Sequence, residues 1–508
     1  MNFLAKMHSK GNKWKGLRLL ILLLVNLIWV SVQYTSSSSE LESEYKRRHI
    51  TGFQYWAVSH FLPAFTDLGV FPLTVLSAKT HQINQQVVLD EIERVSLQGK
   101  PDSIVFVDHL PHEVLLNELG HTWRYGQFGR LVYLLPFEYL SQSAYANIQF
   151  SNVFWFLLAS TFFIVFAFGR MGFVFTLLII CVIHLHPYYQ FEIFENNNAF
   201  GTGIMLWLVS VGMGTLLLDR NKFRGFLLVF GGVFFLAFSV LIINIRSEYL
   251  PVALVPLLMA ILFWDKKAIL FSAALIFGTL FFSHQFQGWF EDKVAASNVF
   301  LEERGFQSYP GDKQGNHPLY HSLICGLSDT LPEAVWSDHY WYNEYLTKNP
   351  DLNLKLNGLI VEPMNQETPN VYYQKLDESP VYQEFVKSQF LDYIKGNSID
   401  YVSHVVYRFW KNWLMVPPLL FFGGEVPFGI VALFVLVPFG VLQYRKDVKI
   451  VWQWALVCLS SLVLSISNIL VYSNDNSQYG NVFHWFLIAY CLAQIVESLW
   501  RKKILQLK

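Results

Sequence analysis

The sequence predicts an all-α integral membrane protein that crosses a bilayer about ten times and carries two large insertions on the outer face. Three observations predict it. Of 508 residues, 53% are hydrophobic and only 15% charged, and the mean hydropathy is +0.33, which is too apolar for an ordinary soluble domain. The apolar residues are gathered into runs that match a hydrocarbon core roughly 30 Å thick, which takes about 20 residues of helix. Lipid leaves no unpaired backbone group satisfied, so each such run must be helical. Finally, Lys and Arg recur at every second turn between runs, the pattern of charge held on one side of a membrane.

The ruler places spans near 17–34, 151–169, 172–187, 200–218, 226–245, 250–264, 268–285, 417–442, 450–472 and 482–500. Lys6, Lys10, Lys13, Lys15 and Arg18 precede the first, and its long apolar stretch reads as a retained anchor rather than a cleaved signal. Arg170 marks a tight inside turn, followed by Arg220, Lys222 and Arg224, then Lys266 and Lys267. Arg445, Lys446 and Lys449, and lastly Arg501, Lys502, Lys503 and Lys508, complete the series. An even-numbered bundle with both termini cytoplasmic satisfies this order.

The chain therefore divides into 1–34, the cytoplasmic N-terminus and first span; 35–150, a first outer loop; 151–285, spans two to seven; 286–416, a second outer segment; and 417–508, the last three spans and the cytoplasmic C-terminus. Within the first loop, the aromatic stretch from Phe53 to Val75 is interrupted by His60, Pro63 and Asp67. It reads as a helix lying in the interface, because a crossing there would invert every later loop. The second segment turns at Pro310-Gly311-Asp312 and Gly315-Asn316-His317-Pro318. It ends in an amphipathic pattern over 380–413, with Val381, Phe385, Phe390, Tyr393 and Ile394 at helical spacing.

Composition also excludes classes of function. A formal net charge of -1 supplies no field for nucleic acid. Of Cys181, Cys325, Cys458 and Cys491, three fall in apolar spans, leaving Cys325 without a disulfide partner. No Asn-x-Ser/Thr acceptor occurs, which favours a bacterial inner membrane. No Walker loop, nucleophile elbow, zinc-protease motif or dinucleotide fingerprint is present.

The chemistry-bearing stretch of the first loop is Val107-Asp108-His109-Leu110-Pro111-His112-Glu113, followed by a helix-like run, Tyr125-Gly126-Gln127-Phe128-Gly129-Arg130 and Leu131-Val132-Tyr133-Leu134-Leu135-Pro136. An acidic residue, a short helix, a Tyr-Gly turn and a Leu-Pro run in a large first outer loop resemble the polytopic GT-C glycosyltransferases, especially family 39-like bacterial members. The resemblance implies an enzyme taking sugar from a polyprenyl-phosphate carrier at the outer face and passing it to a glycan, lipid or protein acceptor. It also implies that Asp108 is the catalytic base or acceptor anchor. A second similarity, Phe390 to Asn397 continuing to Tyr407-Arg408-Phe409-Trp410-Lys411-Asn412-Trp413, looks like the amphipathic helix and aromatic re-entry before a late span of such transferases. Gly315 to Ser322 resembles a His-Pro/His-Ser segment of related membrane proteins, with no role implied.

The residues meet the physical requirement of such a transfer. A carboxylate must take the acceptor's proton, and cations must stabilise the departing phosphate. Asp108 supplies the first, with His109 and His112 beside it; Arg246, in Asn244-Ile245-Arg246-Ser247-Glu248, sits where a lipid phosphate lies. Arg124, Arg130 and Arg408 are further phosphate candidates, because guanidinium meets phosphate oxygens in a bidentate fork. Glu192 and Glu195, after the third span, are candidate acceptor or metal contacts. Each has a plainer reading: Asp108 as a helix cap, Arg246 paired with Glu248 or snorkelling to headgroups, Glu192 and Glu195 as solvated loop charges. His317 and His321 share a spacing that suits metal, but Pro318 intervenes and a third ligand is missing; the sequence leaves the cofactor open, admitting a divalent metal without requiring one. The competing functions are a transporter or flippase of lipid-linked sugars and a noncatalytic assembly protein.

Overall fold

All regular structure among the described residues is helical, with no strand. The computed structural model describes residues 11–48, 129, 132–133, 135–137, 144–185, 200–218, 224–245, 249–262, 264–303, 320, 323–324, 344, 347–348, 380–403 and 405–406. The helices are α1 (Gly11–Arg48), α2 (Ala144–Met171), α3 (Phe173–Leu185), α4 (Phe200–Leu217), α5 (Arg224–Ile243), α6 (Leu250–Ala253), α7 (Val255–Leu262), α8 (Lys266–Glu302) and α9 (Pro380–Gly396).

Among the described residues, four stretches are long and apolar enough to cross a membrane: Lys15–Tyr34, Gln149–Phe168, Gly225–Ile243 and Lys266–Lys293. They coincide with the expected first, second, fifth and seventh spans, as a helical membrane protein requires. The expected spans at 417–442, 450–472 and 482–500 lie outside the described residues.

The helices differ from the ruler where a feature other than apolar length sets their ends. α1 covers 38 residues and α8 covers 37, each about 55 Å at 1.5 Å per residue. Both outrun a core of roughly 30 Å, since hydrogen bonding within a helix continues into water once a span has nucleated it. The expected span at 250–264 is instead two short helices broken at Leu254. Pro256 has no N–H to give to Val252 O, and Leu254 N turns back to Pro251 O at 3.1 Å. The tight turn expected at Arg170 is made two residues later by Gly172, whose φ of 89° suits glycine. The turn into α8 uses Trp264 at φ 51°. There Asp265 Oδ1 accepts from Lys267 N and Ala268 N, both at 3.1 Å, capping the helix.

α4 is the axis of the bundle. Its described side chains are buried all round, and it packs against α2, α5, α6 and α7. A helix apolar on every face belongs inside, and its glycines let neighbours close in. A Cβ on Gly212 would lie 2.8 Å from the Phe162 ring, and one on Gly214 would overlap Met259 Sδ. Trp207, Phe156, Phe163 and Phe235 fill the surrounding core. The outer sides of α5 and α8 carry Phe226, Val229, Val233, Leu270 and Phe277, all exposed.

Several contacts join helix ends to one another. Gln149 Nε2 donates to Tyr34 O and Gln33 Nε2 to His184 O, each at 3.3 Å. Asn244 Nδ2 donates to Ser283 Oγ at 2.9 Å. The Gln33–Tyr34 level within α1 thus lies beside the start of α2 and the end of α3, and the end of α5 lies level with Ser283 of α8.

Candidate functional site

At the end of α5 the chain is joined to the Tyr125–Arg130 stretch of the first loop. Gly129 N donates to Asn244 O at 3.0 Å. The approach is backbone to backbone: a Cβ on Gly129 would meet Leu241 O at 2.5 Å, Ile245 N at 2.6 Å and Asn244 C at 2.7 Å. Four residues on, Tyr133 is clamped by α2. Its carbonyl accepts from Ser151 Oγ at 2.7 Å and Trp155 Nε1 at 2.8 Å, its hydroxyl donates to Asn152 Oδ1 at 3.0 Å, and its ring stacks on Trp155. The turn Leu135–Phe137 follows and packs on α2. The Gly129–Phe137 stretch is therefore pinned between α5 and α2 at one end of the bundle.

Asn244 is a junction. Its Nδ2 gives both hydrogens, to Val240 O at 2.8 Å and to Ser283 Oγ, while its buried Oδ1 has no donor. An amide so committed holds α5 to α8 and cannot rotate without losing both bonds.

A second polar cluster links α1, α2 and α3. Asn26 Nδ2 donates to Ser160 Oγ at 2.8 Å, so Asn26 Oδ1 faces His184 Nε2 at 3.0 Å as acceptor. That fixes the imidazole proton on Nε2 in the neutral form. Trp29 and Phe156 meet the ring edge-on. Sequence reasoning passed over Asn26 and Tyr133; the signal for Asn26 was a lone amide inside an apolar run, which demands a partner in the bundle.

Of the expected site residues, Asp108, His109, His112, Arg124, Arg130, Glu192, Glu195, Arg246 and Arg408 lie outside the described residues, as do His317, His321 and Cys325. Their described neighbours show which stretches meet: Gly129 precedes Arg130, and Ile245 precedes Arg246. Gly129 and Asn244 meet at one seam, whereas the described residues make no link between that seam and the 192–195 stretch. Cys181 is a free thiol on α3. Among the described residues, no three His, Cys, Asp or Glu side chains gather closely enough to hold a metal ion.

Comparison with protein-family models, with curated proteins and with solved structures finds no match to the chain.

Proposed function

We propose that the chain is a GT-C type glycosyltransferase of the inner membrane, moving sugar from a polyprenyl-phosphate donor to a glycan, lipid or protein acceptor at the outer face. In this reading it spans the membrane ten times, both termini are cytoplasmic, and 35–150 and 286–416 are outer insertions. The Gln149–Tyr34 bond supports the first insertion, because it brings the chain before and after 35–148 together at 3.3 Å.

The observation that carries the reading is the Gly129–Asn244 seam. Consecutive Cα atoms are about 3.8 Å apart, so Arg130 and Arg246 leave the seam one and two residues from its bonded atoms. Two guanidinium groups from separate stretches suit the phosphate of a lipid carrier. In the step proposed, the acceptor hydroxyl attacks the anomeric carbon while Asp108 takes its proton. The bond from that carbon to the phosphate oxygen breaks, and the carrier phosphate leaves against the arginines. Glu192 or Glu195 would orient the acceptor.

The test is sugar release from a panel of radiolabelled polyprenyl-phosphate monosaccharides by the protein in lipid, beside Asp108→Asn and Arg246→Gln. Release by the parent, lost in Asp108→Asn with the fold retained, is the expected result. No release from any donor overturns the reading. A flippase of lipid-linked sugars is the second reading. Flipping of the same lipids without hydrolysis would select it.

A further inference from the structure

The helical segment that begins with α9 presents two apolar faces, and among the described residues one of them is packed. Phe390, with Phe385, Tyr393 and Ile394, packs around Ile324, Tyr320 and Tyr401. The Phe390 and Tyr401 rings meet edge to face at 5.7 Å. The helix does not stop at Gly396. Asn397 N donates to Tyr393 O at 2.8 Å and Tyr401 N to Asn397 O at 2.9 Å, so the helical ladder runs on through 398–403.

The opposite face changes character along this ladder. Up to Lys395 it is charged, with Glu384 paired to Lys387 at 3.0 Å and Asp392 to Lys395 at 3.5 Å, all solvated. Beyond Asn397 it becomes aliphatic: Ile399, Val402 and Val406 are 83%, 61% and 60% exposed. Their spacing of three and then four residues puts them in one stripe, turned away from Phe390 and Tyr401. A water-facing surface does not need that stripe, and the packed face does not reach it.

The sequence indicates what covers it. Directly after Val406 come Tyr407, Arg408, Phe409, Trp410, Lys411 and Trp413, then the apolar run leading into 417–442. Aromatic rings interleaved with cations are the composition of a headgroup layer, and an aliphatic stripe beside charged residues is the form of a helix lying at that layer. We infer that residues 398–406 are a membrane-seated foot, with Ile399, Val402 and Val406 dipping into the phospholipid interface while the 384–395 face stays in water. The foot ties the packed unit of Tyr320, Ile324 and α9 to the bilayer surface. This inference does not rest on the proposed transferase activity.

The test uses the full chain in phosphatidylcholine vesicles, with Cys181, Cys325, Cys458 and Cys491 replaced by Ser and a bimane placed singly at Ile399→Cys, Val402→Cys, Val406→Cys or Asp392→Cys. Lipids carrying a doxyl group are expected to quench the first three at least threefold more strongly than position 392, and aqueous iodide to show the reverse. Equal iodide quenching at 402 and 392 overturns the foot. So does protection of 402 from both quenchers, which would mean that protein, a second copy included, covers the stripe. The unaltered chain supplies the control for folding: photolysis with a diazirine-bearing phosphatidylcholine should mark the peptide holding 398–406 and spare 382–395. Failure to mark 398–406 overturns the inference independently of any substitution.

Discussion

Replacing Gly129 with alanine tests whether the first loop is docked on α5 as the geometry describes. The added methyl would meet Leu241 O, Ile245 N and Asn244 C within 2.7 Å. All three are backbone atoms near the end of a packed helix, so no side chain can swing aside. An overpacked methyl costs about 1–3 kcal/mol, and the Gly129–Asn244 hydrogen bond lost with it adds about 0.5–1.5 kcal/mol. The docked state should therefore weaken by about 1.5–4.5 kcal/mol, a shift of roughly 10- to 1500-fold in its population, at tenfold per 1.4 kcal/mol. Amide hydrogen exchange of the protein in lipid nanodiscs reads this directly, because protection of an amide reports the opening equilibrium of its segment. Exchange at Gly129 should accelerate by at least about 10-fold, the lower bound from that arithmetic, while the amides of α4 keep their protection. If Gly129→Ala exchanges at the parent rate across 126–133 with unchanged thermal stability, the close approach is not there and the seam fails as the support for a shared phosphate site. If the seam opens and sugar release falls with it, docking and activity are linked.

Asn26→Leu removes the acceptor of His184 and the donor of Ser160 together; a loss of about 1–2 kcal/mol, near the upper range for hydrogen bonds between membrane helices, should lower the melting temperature in fluorescence-detected gel filtration, and an unchanged value would refute the cluster. Gly214→Ala should destabilise the bundle by driving a methyl into Met259, and combining it with Met259→Ala should recover part of that loss in a double-mutant cycle; strictly additive effects would mean that the two sites do not touch. Gly288→Ala is expected to act the other way, because nothing lies within 4 Å of a Cβ there and alanine gains about 0.5–1 kcal/mol over glycine within a helix. Thermal unfolding that shows Gly288→Ala less stable than the parent would refute an open, regular α8 at that point.

Much of the helical frame was legible because bilayer thickness turns a count of apolar residues into a helix. The runs at 17–34, 151–169, 226–245 and 268–285 each contain a helix able to cross. Helix ends were less legible, since apolar length marks where lipid stops and not where hydrogen bonding stops; α8 continues to Glu302 for that reason. Of the amphipathic pattern expected over 380–413, Phe385, Phe390, Tyr393 and Ile394 form the packed face of α9, and the side chain of Val381 lies outside the described residues. The aliphatic stripe on its other side went unread, because two apolar faces on one helix blur a single-face pattern.

The candidate site divides in a similar way. The sequence by itself determined the solvent of this protein, the helical state of its spans and the residue types able to handle a phosphate and a proton, because those follow from composition and local order along the chain. Only the tertiary structure decided that α4 is the buried axis, that Asn26 meets Ser160 and His184, and that Gly129 lies on Asn244. Those pairings join residues more than a hundred positions apart, and they form where small side chains let backbones approach. Contact of that kind depends on the shapes of both partners at once, which no property of either stretch alone encodes.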